Sequence, residues 1–112
     1  MDFSERAARN EQVFRGVNER IEEGGARLGV TRRIPFHCEC DRASCFETVE
    51  IVPREYRAVA DERYHFVIAA GHEDPRVEEV VEVRDGYVVV EKIGEAREAL
   101  DREHPQRQHH DA

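Results

Sequence analysis

Apolar residues recur along this chain at two different spacings, and the change from one to the other divides it. From Asn10, placed to cap a helix with Glu11 in its first turn, the positions Val13, Phe14, Val17 and Ile21 fall at i, i+1, i+4 and i+8. That is one helical face, and it is expected to lie on a sheet as core. Gly24-Gly25 reads as the stop. Ile34-Pro35-Phe36 reads as an extended lead-in, because Pro35 disfavours helix at Ile34. Phe46–Val52 has the alternation of a strand. Pro53 then suits the first position of a short helix with Tyr56, Val59 and Ala60 on one side. The continuous apolar run His65–Ala70 predicts a buried strand. Asp85-Gly86, between Glu79–Arg84 and Tyr87–Lys92, predicts a two-residue hairpin. In that register Val83 faces Val88 and Val81 faces Val90, with the four valines on one face. A weakly apolar helix over 94–103, with Ile93, Ala96, Ala99 and Leu100, ends at Pro105.

This order predicts an α+β fold: an N-terminal helix packed on a small, mostly antiparallel sheet of four or five strands, with a zinc-binding loop at one end. The expected organisation is a flexible N-terminus over 1–9, one zinc-stabilised domain over 10–104, and a disordered tail over 105–112.

Composition explains why a metal is expected. The chain has 112 residues, no Trp, five Phe and three Tyr, and 38% of it is charged. So thin a supply of large apolar side chains favours a staple. The net charge of −8 disfavours a broad nucleic-acid footprint, which needs clustered Lys and Arg. No apolar run approaches a membrane span, and the N-terminal stretch lacks the apolar region of a secretory signal, so a cytoplasmic setting is expected.

All three cysteines lie within Phe36–Phe46, spaced C-x-C-x4-C. An odd number of cysteines in a cytoplasmic chain points away from a disulfide framework and toward metal or redox chemistry. In an extended segment Cys38 and Cys40 point to the same side, and a turn at 41–44 returns Cys45 to them. Zinc takes thiolate and imidazole ligands in closed sets of four when its role is structural. For the fourth ligand His72 is preferred, since it follows the small-residue strand end Ala69-Ala70-Gly71. His37 should face away, His65 starts a strand, His104, His109 and His110 belong to the tail or its border, and Glu39, Asp41 or a water are the remaining alternatives. Spacing alone does not separate zinc from iron.

The residues Asn10-Glu11 through Asn18-Glu19-Arg20-Ile21, Phe36-x-Cys38-Glu39-Cys40 with Cys45, Gly71-His72-Glu73, and Gly86–Lys92 together resemble a family of small uncharacterised actinobacterial proteins. The pattern spans roughly residues 10 to 95. Where those relatives often read C-E-C-G, this chain has Asp41. The resemblance implies a prokaryotic cytosolic setting and a unit built around the cysteine loop and Gly-His, and it carries no activity.

The function expected is a small cytoplasmic zinc-binding protein with a structural Cys3His site, acting as a protein-interaction or regulatory module rather than an enzyme. Neither H-E-x-x-H nor the H-x-E…P-C-x-x-C pattern of zinc deaminases is present. Two alternatives remain. One is a nucleic-acid-binding zinc domain using Arg32, Arg33 and Arg42, with Phe36 and Phe46 as stacking faces, although both rings are expected to pack beneath the loop. The other is a redox-sensing zinc-thiolate protein, with Arg42 beside the C-x-C pair.

Overall fold

The computed structural model describes residues 3–103. The elements run α1 (Phe3–Arg27), β1 (Ile34–His37), β2 (Thr48–Ile51), α2 (Pro53–Ala60), β3 (His65–Ile68), β4 (Glu78–Arg84), β5 (Tyr87–Lys92) and α3 (Glu95–Glu103). The fold is α+β, as expected. The five strands form two antiparallel sheets rather than one: a β1–β2 ribbon, and a three-stranded sheet in the order β3-β5-β4. Among the described residues no helix is long and apolar enough to cross a membrane. The tail over 105–112, with His104, His109 and His110, lies outside the described residues.

β5 is the middle strand and both of its faces are covered. Val88 and Val90 join Phe66, Ile68, the three cysteines, Ala99 and Leu100 on one side. Tyr87 and Val89 join Phe36, Val49, Ile51, Tyr56 and Val59 on the other. The hairpin forms where Asp85-Gly86 placed it, with Val83 opposite Val88. Val81 does not face Val90. A register shift between Val80 and Glu82 puts Val80 there instead, and β4 carries its valines at an exposed sheet edge.

The larger correction concerns α1. It begins at Phe3, so residues 3–9 belong to the helix, and it runs through Gly24-Gly25 to Arg27. Its buried face is not the valine face: Val13 is 60% and Val17 43% exposed. Phe14 is buried as expected, but beside it the inward positions are Ala8, Glu11, Arg15, Asn18 and Glu22. These sit at alternating spacings of three and four, a helical stripe made mostly of polar groups. The partners that make this tolerable come from the rest of the fold. Lys92 Nζ lies between the carboxylates of Glu11 and Glu78, beneath α1. Burial works against the Lys92 charge, but Glu11, once it has lost its proton, and Glu78 outweigh it and hold the ammonium above its ordinary range.

Candidate metal centre

The loop after β1 is extended. Cys38 N–H donates to Glu47 O at 2.9 Å, prolonging the β1–β2 ladder, and Glu39 N–H donates to Val67 O at 2.8 Å on the outer edge of β3. Strand alternation then sends Cys38 and Cys40 to one side and Glu39 to the other. The turn closes with Cys45 N–H to Arg42 O at 3.1 Å. The opposite wall comes from the end of β3. His72 N–H donates to Ala69 O at 3.1 Å, and Gly71 at φ +88° supplies the left-handed residue this turn requires.

These two loops bring Cys38, Cys40, Cys45 and His72 together, with one donor atom from each lying within 4.8 Å of all the others, so that the four can hold a metal ion. His72 Nδ1 is 3.5 Å from Cys38 Sγ and 3.7 Å from Cys45 Sγ. The cysteines are buried and His72 is half-buried. The other ring nitrogen, Nε2, is 2.9 Å from Glu47 Oε2, so a carboxylate fixes which nitrogen faces the sulfurs. Backbone amides reach all three sulfurs: Ala69 N–H donates to Cys38 Sγ at 3.2 Å, Arg42 to Cys40 and Glu47 to Cys45. Hydrogen bonding between the paired sulfurs pushes the Cys38 thiol up and pulls Cys40 down to about 4. Burial pushes Cys45 up. Three thiolates cannot share so dry a pocket without a cation to balance them. The Arg42 side chain is exposed, and it is its backbone amide that acts on Cys40.

The other candidate ligands are engaged elsewhere. His37 stacks on Phe14, ring centres 4.1 Å apart, with Nδ1 2.5 Å from Cys38 O. His65 Nε2 pairs with Glu91 Oε1 at 2.9 Å. Asp41 faces Asp74, beside a cavity of about 340 Å³ that Arg42 and Arg76 also line. Burial, then the Asp74 carboxylate, raises Asp41 to about 6. Phe36 is buried, but in the other core cluster, stacked on Tyr56 at 4.7 Å, rather than with the cysteines. Phe46 does not lie under the loop but is 86% exposed.

Glu39 is the residue whose part the spacing did not reveal. Its side chain is fully buried and accepts from four residues. Oε2 takes Asn18 Nδ2 at 3.0 Å, the Tyr56 hydroxyl at 2.5 Å and Arg15 Nε at 3.4 Å. Oε1 takes Val67 N–H at 3.0 Å and Arg15 Nη2 at 3.5 Å. Asn18 also clasps the His37 backbone, accepting from its N–H at 2.7 Å and donating to its carbonyl at 2.8 Å, and Asn10 donates to Asp41 O at 3.1 Å. The metal loop is therefore the floor on which α1 rests. The signal in the sequence was the three-four spacing of Glu11, Arg15, Asn18 and Glu22, a stripe of long polar side chains that needs complementary buried groups.

Comparison of the chain with protein-family models, with curated proteins and with solved structures gives no match, so the functional reading rests on this geometry.

Proposed function

We propose that the centre binds one zinc ion and that its role is structural, in a small non-enzymatic module that works by binding another protein. The observation that carries this reading is the convergence of four donor atoms, three sulfurs and one ring nitrogen, all within 4.8 Å of one another. Zinc bonds of about 2.3 Å to sulfur and about 2.0 Å to nitrogen, at tetrahedral angles, require sulfur–nitrogen edges of about 3.5 Å. Two of the three sulfur–nitrogen distances, from His72 to Cys38 and to Cys45, are 3.5 and 3.7 Å. Four protein donors complete the shell and leave no position for water or substrate, which supports a staple rather than a catalytic ion. Thiols kept as ligands suit a reducing, cytoplasmic setting. Support for a phosphate-binding patch is thin, since Arg33 is tied to Asp85 at 3.0 Å and Arg42 shares its cavity with Asp41, Glu73 and Asp74.

The test is metal content of tag-free protein, alone and as Cys45→Ser and His72→Ala, followed by melting in chelator. One zinc per chain, lost in the variants together with the cooperative melt, is the expected result. Binding to unfolded-state ligands aside, zinc of this kind contributes on the order of 10 kcal/mol, comparable with the whole stability of such a domain. Metal-free protein with an unchanged melt would overturn the proposal.

A further inference from the structure

The three-stranded sheet ends differently on its two sides. On the β3 side the cysteine loop lies against the border, with Glu39 N–H donating to Val67 O at 2.8 Å. On the other side stands β4, seven residues long and paired to β5 alone. Among the described residues the backbone of 79–84 makes hydrogen bonds to β5 and to nothing else. The outward N–H and C=O groups of such an edge are a template for another strand. The register shift beside Val81 sorts the side chains of this edge. Val80 and Val83 stand opposite Val90 and Val88, on the face shared with the cysteines, and are 40% and 76% exposed. Glu79, Glu82 and Arg84 stand opposite Glu91, Val89 and Tyr87, on the face toward α2. That second face is acidic. Glu79 lies directly across from Glu91, a like-charge pair that destabilises unless a cation comes between. Glu91 has His65 at 2.9 Å, and Arg84 is held by Glu82 on its own strand, whereas Glu79 has no ion-pair partner among the described residues. Beside them is a cavity of about 230 Å³ between α2 and β4, with Ala58, Val59 and Val89 as its apolar part and the exposed Glu62 among its charged groups. Four carboxylates on this face thus stand against one arginine and one histidine.

We infer that β4 is a strand-addition site for an extended, basic segment of a partner protein. The inference rests on the interaction-module reading above and names its surface and the chemistry of its partner. The partner's backbone completes the open edge, and its side chains fall alternately on the two faces of the enlarged sheet. On the face toward α2, a Lys or Arg relieves the opposition of Glu79 and Glu91. The next basic residue lays its methylene stem along Val59 and Val89, with its charge at Glu62 and Glu82. On the other face, apolar residues cover Val80 and Val83. A second copy of this chain suits the edge less well, because each copy carries a net charge of −8. A nucleic acid would bring its phosphates to the same carboxylates.

The experiment uses the full chain, with its zinc content measured on the same preparation. A displayed library of random peptides of about 12 residues is selected against it, and the winners are titrated by fluorescence anisotropy. The expected winners alternate Lys or Arg with apolar residues. N-methylation of every second residue of a winner should weaken it about tenfold or more in one phase, where the N–H groups face β4, and by less than about threefold in the other. Glu62→Lys with Glu79→Lys should weaken it about tenfold or more, while Glu23→Lys with Glu98→Lys, the same charge change at exposed sites off this face, should weaken it by less than about threefold. All four glutamates are at the surface, so each variant should keep its zinc and its melt. No enrichment, acidic winners, equal loss in the two N-methylation phases, or equal loss in the two pairs of variants would each overturn the inference. So would a dimer of the parent chain in sedimentation that Val83→Asp dissociates, since the edge would then belong to a second copy. Winners that bind tightly but ignore the β4 face would overturn this surface and leave the interaction-module reading standing. Zinc-free but folded protein would overturn the structural-zinc reading instead, whatever the peptides do.

Discussion

Replacing Glu39 by Gln tests whether the metal loop and α1 are held together by buried charge. The substitution keeps the shape of the side chain and removes its negative charge. What remains is the Arg15 guanidinium, 1% exposed, with its facing carboxylate gone. Burial works against that charge in the native protein, and Glu39 is the first of the groups that hold it ionised. The new amide nitrogen is also a donor, and whichever oxygen it replaces was accepting from donors: Asn18, Tyr56 and Arg15 at one position, Val67 N–H and Arg15 at the other. Removing one partner of a buried ion pair costs about 3–5 kcal/mol, and a buried donor left facing a donor adds about 1–3. At roughly 4 °C per kcal/mol for a chain of this size, the melting temperature should fall by about 16 °C or more.

The assay is thermal and urea unfolding of zinc-saturated protein, with zinc content measured in parallel. Glu39 is not a ligand, so the variant should still bind one zinc at low temperature. Arg15→Met in the Glu39→Gln background should recover about 2 kcal/mol or more, because it removes the stranded charge. A Glu39→Gln variant within about 1 kcal/mol of the parent, or a double mutant whose cost is the simple sum of the two singles, would refute the account of Glu39 as the floor of α1.

Glu47 is 63% exposed at its side chain yet holds His72 Nε2, so Glu47→Gln should weaken zinc binding toward the lower end of a 10–100-fold range in a chelator competition; unchanged affinity would remove Glu47 from the site. Gly25 and Gly24 are neighbours with opposite expectations. A Cβ at Gly25 would come within 2.8 Å of Pro53 Cγ, forcing α1 from α2, so Gly25→Ala should cost about 1–3 kcal/mol. Gly24→Ala meets nothing within 4 Å and should stabilise by about 0.5–1 kcal/mol, and urea melts giving both the same sign would contradict this packing. Burial raises Glu11 from 4.5 to about 8 despite Lys92. The stabilisation from holding that proton is therefore full below pH 4.5, declines as pH rises and is gone above about 8. Zinc-saturated Glu11→Gln should lose this slope, and equal slopes in parent and variant between pH 5 and 8 would refute the assignment.

Legibility in the sequence followed the kind of force at work. The alternation of β2, Pro53 at a helix start, Asp85-Gly86 and the C-x-C-x4-C spacing are local, and each appears where the sequence placed it. His72 was found because a small-residue strand end lets a backbone approach closely. The face of α1 was misread for a physical reason. An apolar-inward rule assumes that the surface awaiting the helix is apolar, whereas here it carries Glu39, Glu78 and Lys92, which prefer Glu11, Arg15 and Asn18 to valine. The three-four spacing of Glu11, Arg15, Asn18 and Glu22 announces a polar stripe but not its partners, which lie on β4, β5 and the cysteine loop. Val81 failed for a similar reason: a register shift cannot be read from alternation that continues on both sides of it. Phe46 was assigned to the core by residue type alone, and the turn at Arg42–Cys45 carries it outward.

The one-residue spacer in C-x-C now has a structural reason. In extended backbone, neighbours at i and i+2 share a side and the residue between them takes the other. Cys38 and Cys40 therefore face His72, while Glu39 is driven into the polar core beneath α1, where Arg15, Asn18 and Tyr56 meet it. A two-residue spacer could hold a metal as well, but it would not hold its middle in this opposed register. Whatever orders the sulfurs also orders Glu39, and whatever releases them frees the floor of α1. A chain with few large apolar residues thus ties its candidate metal centre to α1 through the buried Glu39 carboxylate and the clasps of Asn10 and Asn18, rather than through a larger hydrophobic core.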